Sequence, residues 1–299
     1  MTRPHSIAEM QAVDQLFVTQ ASLRRGLEYQ PDTSDIFISP YAKCGTTWMQ
    51  QIVHGLRTGG SMDFDEITQV VPWLELAWDM GADVNAPQVA TPRAFKSHLG
   101  WDDIPKGGRY ITVLRDPLDA MISLFNFLDG WRFEAGSISL ADFADYYLDR
   151  AESNNYWTHA ASWWRQRMRP EVLLLSFEGL KKNLPGTVAR VADFMGVADN
   201  PDLREIATRQ AGFDFMKTHG TQFDDHLLRA ARDEACGLLP GGTATKVATG
   251  KIGAGKPLIS ADIRASFDAR WQEVMTAEFG LSSYQALLSA LDQHNHAGR

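Results

Sequence analysis

The chain predicts an α/β fold, a three-layer sandwich with a central parallel sheet and helices on both faces. Three observations lead there. Short β-branched or aromatic runs recur at 35–39, 94–97, 110–114 and 172–176, the pattern of buried strands. Helical patterns follow the first, third and fourth of them, at 46–57, 118–128 and 180–195. Regular strand-helix alternation sets successive strands parallel and packs the helices on either side.

Taken in order, the first strand leads directly into the helix at 46–57. The helix at 118–128 begins behind Asp116-Pro117, where proline costs nothing because the first N–H of a helix is unpaired anyway. The helix at 180–195 stops at Gly196, a residue suited to a left-handed C-cap. Beyond Gly212 the pattern weakens. Residues 237–256, GLLPGGTATKVATGKIGAGK, are glycine-rich and aperiodic, and are expected to form a mobile loop, a candidate lid. Serine-capped helices at 260–278 and 282–292 close the chain. A single domain over 1–299 accommodates this, since 299 residues with 44% hydrophobic content can bury one large core.

The formal net charge of −8 argues against nonspecific nucleic-acid binding and requires any polyanionic ligand to meet a local basic cluster. Lys43, Lys96 and Arg115 are candidates, and all three fall at carboxyl ends of strands, where parallel sheets bind ligands. Two cysteines, Cys44 and Cys236, make no disulfide framework and have no partners at zinc-ligand spacing. No segment reads as a secretory signal or membrane span. A cytoplasmic protein with no membrane partner is expected.

Residues 36–48, IFISPYAKCGTTW, run an apolar strand into a basic turn that opens a helix, an arrangement built to hold phosphate. The N–H groups of 44–47 are expected to be unpaired at the helix N-terminus, where the dipole favours an anion. The hydroxyls of Thr46 and Thr47 and the ammonium of Lys43 converge there, and Gly45 lets the chain come close. No segment fits the nucleoside-triphosphate pattern G-x-x-x-x-G-K-[ST]. The spacing K-x-G-T-T-W instead resembles the 5′-phosphosulfate loop of cytosolic-type sulfotransferases, whose sulfuryl donor is 3′-phosphoadenosine 5′-phosphosulfate (PAPS). The resemblance spans about 35–271 and implies a P-loop nucleotide-binding-like core.

Two more motifs extend it. RYITVLRDPLDAMISLFNF places Arg115 and Ser123 eight positions apart, as in the family's 3′-phosphate motif. An Arg fork matches phosphate oxygens, and a helical hydroxyl adds a bond without charge. FKSHLGW, at 95–101, resembles the family's K-T-H-L segment. The resemblance makes His98 the base that removes the acceptor's proton and Lys96 a contact to the donor. An imidazole suits that role because its ordinary pKa lies near neutrality. Lys43 would stabilise the bridging oxygen as negative charge builds on it. The family needs no metal, and none is expected here.

Further site residues follow from the resemblance. Trp48 corresponds to the adenine-stacking aromatic and Phe213, in GFDFM, to the ring on the opposite face, although either type of residue equally serves a core. Phe177 stands where the family commonly has Tyr, so a hydroxyl is missing. In the carboxyl-terminal R-K-G-x-x-G motif, Ala248 and Thr249 replace the cations, Gly250 and Gly253 keep the glycine spacing, and Lys251, Lys246 or Lys256 is left to supply charge. Cys44 replaces a small residue, and is either an inert filler or a thiol activated by the helix N-terminus and protected by bound donor.

For the acceptor, Trp73, Trp78, Trp101, Phe127, Trp131 and Phe133 flank the expected crevice and suggest an apolar or aromatic pocket. His219 and His226 either meet the acceptor or lie on the surface. The family's dimer motif is largely altered at 256–265, which leaves a monomer or homodimer. The expected function is transfer of a sulfuryl group from PAPS to a hydroxyl or amine of a small molecule. A small-molecule kinase of related fold and a non-catalytic nucleotide-binding protein are the alternatives.

Overall fold

The computed structural model describes residues 2–150, 155–197, 200–242, 253 and 259–297. Strands β1 (Ile36–Ile38), β2 (Ala94–Lys96), β3 (Arg109–Leu114) and β4 (Val172–Ser176) pair in parallel in the order β2-β1-β3-β4. Helices α1 (Ile7–Phe17), α2 (Gln20–Leu27), α3 (Thr46–Thr58), α4 (Ile67–Val70), α5 (Pro117–Leu128), α6 (Leu140–Leu148) and α7 (Tyr156–Arg165) cover the first half of the chain. Next come α8 (Phe177–Lys182), α9 (Leu184–Met195), α10 (Pro201–Gln210), α11 (Phe213–Thr218) and α12 (His226–Arg232). The chain closes with α13 (Ala261–Trp271), α14 (Ala277–Phe279) and α15 (Tyr284–Ala297). The predicted α/β class is the one observed. No helix among the described residues is long and apolar enough to cross a membrane.

Alternating strand residues feed two cores, as a sheet buried on both faces requires. Ile36, Ile38, Ile111, Val113 and Leu175 pack with α3 and α9 on one face. Phe37, Phe95, Tyr110, Leu114 and Leu174 pack with α5, α6 and α7 on the other. Phe37 is the register partner of both Phe95 and Tyr110, and its ring stacks 5.4 Å from each. This cross-strand row of rings fixes the register of the central strands.

The strand order reverses beside β1, because the chain goes first to β2 on one side and then to β3 on the other. The loops leaving β1, β2 and β3 at that switch point carry Lys43, His98 and Arg115. A crevice forms where adjacent loops part in opposite directions.

The helix expected over 180–195 is two helices. Asn183 breaks it with φ −148 and ψ 76, and then caps α9 by accepting the Gly186 N–H, with Pro185 in the first turn. The helix expected over 260–278 starts on a Ser260 cap but passes through a π turn at Gln272–Thr276. The final helix starts at Tyr284 and runs beyond 292. Of the predicted mobile loop at 237–256, residues 243–252 and 254–256 lie outside the described residues.

Candidate active site

The turn between β1 and α3 is shaped by two left-handed residues, Lys43 at φ 64 and Gly45 at φ 100. Gly45 is also the N-cap of α3. A Cβ on Gly45 would lie 3.2 Å from Phe177 Cδ2, so dihedral and close approach both call for glycine. The hydroxyl Oγ1 of Thr46, at the start of α3, is buried without a hydrogen-bond partner among the described residues. A buried hydroxyl at a helix N-terminus is costly unless a ligand oxygen meets it, which fits a phosphate.

Cys44 departs from expectation in two ways. Its N–H donates to the Tyr41 carbonyl at 3.1 Å, so it is not an open phosphate donor. Its side chain is wholly buried, with Sγ 3.8 Å from the Ala42 carbonyl, and does not line the crevice. Burial pushes the thiol up to about 12, overriding the nearby Arg115 charge that lowers it. The activated-thiol reading is therefore corrected: the sulfur sits in the apolar core beneath the loop, not in front of the helix end.

Every other predicted site residue within the described part lines one cavity of 690 Å³. On the side next to the start of α3, the predicted donor side, Arg115 Nη1 donates to the Lys43 carbonyl at 2.7 Å, and the guanidinium lies 4.3 Å from the Phe177 ring centroid. Its buried Nε has no partner among the described residues. Phe177 also meets Trp48 edge-on at 5.5 Å, so the position that lacks a hydroxyl serves as an apolar platform for Arg115, Gly45 and Trp48. Trp48 Nε1 donates to the Ala211 carbonyl at 2.7 Å, which fixes its ring. Phe213, 41% exposed at the start of α11, and Ser123 on α5 complete this side. Lys181, one turn beyond Phe177 on α8, also lines the cavity. Its helical spacing from Phe177 was the available signal.

His98 sits where the donor side meets the rest of the cavity. Its Nδ1 lies 2.7 Å from the Pro40 carbonyl, an oxygen that can only accept. Nδ1 therefore carries the proton and Nε2 the lone pair. The His98 backbone N–H donates to Glu75 Oε1 at 2.8 Å, and the ring stands edge-on to Trp73 at 5.1 Å. Lys96 Nζ lies 3.7 Å from the Trp73 ring centroid and Lys43 Nζ 3.7 Å from that of Phe127. Both ammonium groups rest on aromatic faces at the cavity wall. Glu75 is buried, its Oε2 has no hydrogen-bond partner among the described residues, and burial raises its pKa. Nothing in the sequence pattern singled it out.

Of the six predicted acceptor-side aromatics, Trp73, Phe127 and Trp131 line the cavity. The other three do not. Trp78 lies beneath the Arg25 guanidinium at 3.5 Å, Trp101 packs on Tyr110 and Trp163 at 5.3 and 5.7 Å, and Phe133 is fully buried core. His219 stacks on Phe215 at 4.1 Å, while His226 Nδ1 contacts Asp224 at 2.8 Å, and neither histidine reaches the cavity. The wall is completed by groups the sequence did not reveal, among them Asp14, Phe17, Arg132, Tyr146 and Arg150. In a chain of net charge −8, the lining carries six cations (Lys43, Lys96, Arg115, Arg132, Arg150 and Lys181) against three carboxylates (Asp14, Glu75 and Asp225). The expected local basic cluster is present.

A family model described as a sulfotransferase domain matches residues 33–277. The chain belongs to the sulfotransferase family. Sulfotransferase 1E1 of Bos taurus is 27% identical over 227 residues, covering 71% of this chain and 76% of the relative. Sulfotransferase 2A1 of Rattus norvegicus is 25% identical over 250 residues, covering 81% and 84%. Among solved structures, retinol dehydratase in complex with retinol and PAP superposes with a TM-score of 0.69 at 18% identity, covering 86% of each chain. Mouse sulfotransferase SULT7A1 complexed with PAP gives 0.68 at 17% identity, covering 94% of this chain and 95% of the other. These two likenesses show a shared fold.

In this sulfotransferase Gly250 and Lys251 of the carboxyl-terminal motif lie outside the described residues. Gly253, the motif's second glycine, is described: its N–H donates to Asp119 Oδ2 at 3.1 Å, in the first turn of α5. The sulfotransferase assignment removes the ground for the kinase alternative, which already lacked its phosphate-loop lysine.

Proposed function

We propose that this sulfotransferase uses PAPS as donor and transfers its sulfuryl group to a hydroxyl, or an amine, of a small acceptor with an apolar or aromatic body. The observation that carries the reading is that a single cavity joins a helix N-terminus with an orphaned hydroxyl and three cations to a histidine whose Nε2 accepts protons. That two solved neighbours are complexed with PAP, the desulfated product of such a donor, supports it.

Thr46, Thr47 and the first N–H groups of α3 would hold the 5′-phosphate, and Arg115 with Ser123 the 3′-phosphate. Trp48 and Phe213 would flank the adenine. The Gly253 N–H reaches α5, the helix that also carries Ser123. His98 Nε2 takes the acceptor's proton while the acceptor oxygen bonds to sulfur and the bond from sulfur to the phosphate oxygen breaks. Lys43 meets the charge that develops on that oxygen, and Lys96 holds the sulfuryl oxygens. The Pro40 carbonyl and Trp73 keep the imidazole in the required tautomer and orientation.

The test is the melting temperature with PAP, with 5′-AMP, and with ATP plus magnesium, followed by PAPS turnover on a phenol and alcohol panel. Binding to the native state raises stability with ligand excess over Kd. A shift with PAP well above that with 5′-AMP is expected, and its absence would refute the donor assignment. His98→Ala is expected to lower kcat by about 100-fold or more; unchanged turnover would remove His98 as the base.

A further inference from the structure

We infer that the acceptor carries a carboxylate at the end away from its reacting hydroxyl, and that Arg132 and Arg150 recognise it. The inference rests on the sulfotransferase reading above and deepens it by naming the acceptor class.

An aromatic wall leads from the base to these cations. The His98 ring meets Trp73 at 5.1 Å, Trp73 meets Phe17 at 6.0 Å, and the Arg132 guanidinium lies 3.7 Å from the Phe17 centroid. An apolar body lying along that wall brings one end to His98 Nε2 and the other to Arg132. Arg150 stands beside the same end, 5.9 Å from the Tyr41 ring and 5.6 Å from the Tyr146 ring.

The polar groups at that end are unbalanced. The Arg132 side chain is only 4% exposed, and its nearest carboxylate oxygen, Asp14 Oδ1, is 3.6 Å from Nη1, too long for a hydrogen bond. Its Nε and Nη1 have no hydrogen-bond partner among the described residues, and the Cys236 thiol is a further polar neighbour of the guanidinium but carries no formal charge to balance it. Asp14 also accepts from the Tyr146 hydroxyl at 3.4 Å. Asp233, near Arg132 but outside the cavity lining, is engaged by Trp131 Nε1 at 2.9 Å. No described carboxylate lies within ion-pair distance of Arg150. Two guanidinium groups thus line the cavity end with one carboxylate between them, and a buried guanidinium with unmet donors is costly unless an anion arrives. A planar carboxylate fits a guanidinium fork and completes the pairing. A purely apolar acceptor would leave the Arg132 Nε and Nη1 donors unmet.

Titration calorimetry on the full-length protein saturated with PAP tests this. The probes are para-hydroxyphenylpropionate, para-hydroxyphenylbutyrate and ω-hydroxydecanoate, each beside its methyl ester and the matching primary amine. The acids are expected to bind about ten-fold or more tighter than the esters. Arg150→Gln should bring that ratio below about three-fold, Arg150→Lys should keep part of it, and Asp14→Asn should raise affinity for the acids by removing a competing carboxylate. The PAP-induced rise in melting temperature, measured on each variant, is expected to persist and separates lost recognition from lost folding. Esters or amines binding as tightly as the acids in every set, or an acid preference that survives Arg132→Gln combined with Arg150→Gln, overturns the inference. Failure of PAP to bind would sink the donor reading alone, because the acid-to-ester ratio measured without PAP still decides this one.

Discussion

Replacing Arg115 by Met separates two roles that its geometry combines. Nη1 pins the phosphate loop through the Lys43 carbonyl at 2.7 Å, and the buried Nε has no partner among the described residues. Loss of the charge-assisted bond to Lys43 costs about 1.5–3 kcal/mol of loop order. That penalty falls on every adenine nucleotide alike. Loss of the bonds to a 3′-phosphate adds about 2 kcal/mol, felt by PAP alone. At about 1.4 kcal/mol per decade, PAP affinity should fall roughly 300- to 4000-fold and 5′-AMP affinity roughly 10- to 100-fold. Calorimetry with both nucleotides on wild type, Arg115→Met and Arg115→Lys reads the difference, and the lysine should recover only part of the PAP loss because it has charge without the fork. Equal factors lost for PAP and 5′-AMP would mean that Arg115 only props the loop, and the 3′-phosphate assignment would be wrong.

Three further outcomes follow from the same structure. With its thiol pushed up to about 12 by burial, Cys44 should stay unlabelled by a disulfide reagent at pH 8 in the native state and react only on denaturation; stoichiometric native labelling within minutes contradicts this. Gly45→Ala meets both φ 100 and the Phe177 ring edge at 3.2 Å, and should cost at least about 1 kcal/mol, read as a loss of about 2–4 °C in Tm together with weaker PAP binding. Burial lowers His159 from 6.5 to about 3 and His54 to about 4, so the unfolded chain binds more protons between those values and 6.5. Their contribution is fully present above pH 6.5 and is lost as pH falls, by up to about 1.4 kcal/mol per pH unit for each. Urea midpoints from pH 7 to 4 should show that slope, and His159→Phe should flatten it.

What the sequence disclosed depends on how local each feature is. The donor side was legible because one strand, one turn and one helix start supply Lys43, Gly45, Thr46 and Thr47 within a few residues, and Arg115 repeats the arrangement after β3. Cys44 stayed open between an inert filler and an activated thiol because a helix N-terminus lowers a thiol pKa only if the sulfur points toward it, and sequence does not reveal side-chain direction. The single helix expected at 180–195 overlooked that Asn183 and Pro185 together form a cap signal.

The acceptor side is the opposite case. Asp14 and Phe17 come from α1, Trp73 from the segment before β2, Arg132 from the turn after α5, and Arg150 from the end of α6. Only the turn after α5 and α6 itself are consecutive along the chain, so no short motif spacing joins the set. Aromatic content alone was a poor guide, since Trp101 and Phe133 went to the core while Phe17, far from the other candidates in sequence, became the bridge between the wall at His98 and Arg132. The same distinction bears on specificity. On the proposed reading, donor recognition rests on backbone geometry fixed by β1 and α3 and tolerates little change, whereas the acceptor end is built from side chains on separate elements. A single exchange there, such as Arg150→Gln, is therefore expected to redirect acceptor choice while leaving the PAP-dependent rise in Tm intact, and loss of both together would tie the two halves of the cavity more tightly than this arrangement allows.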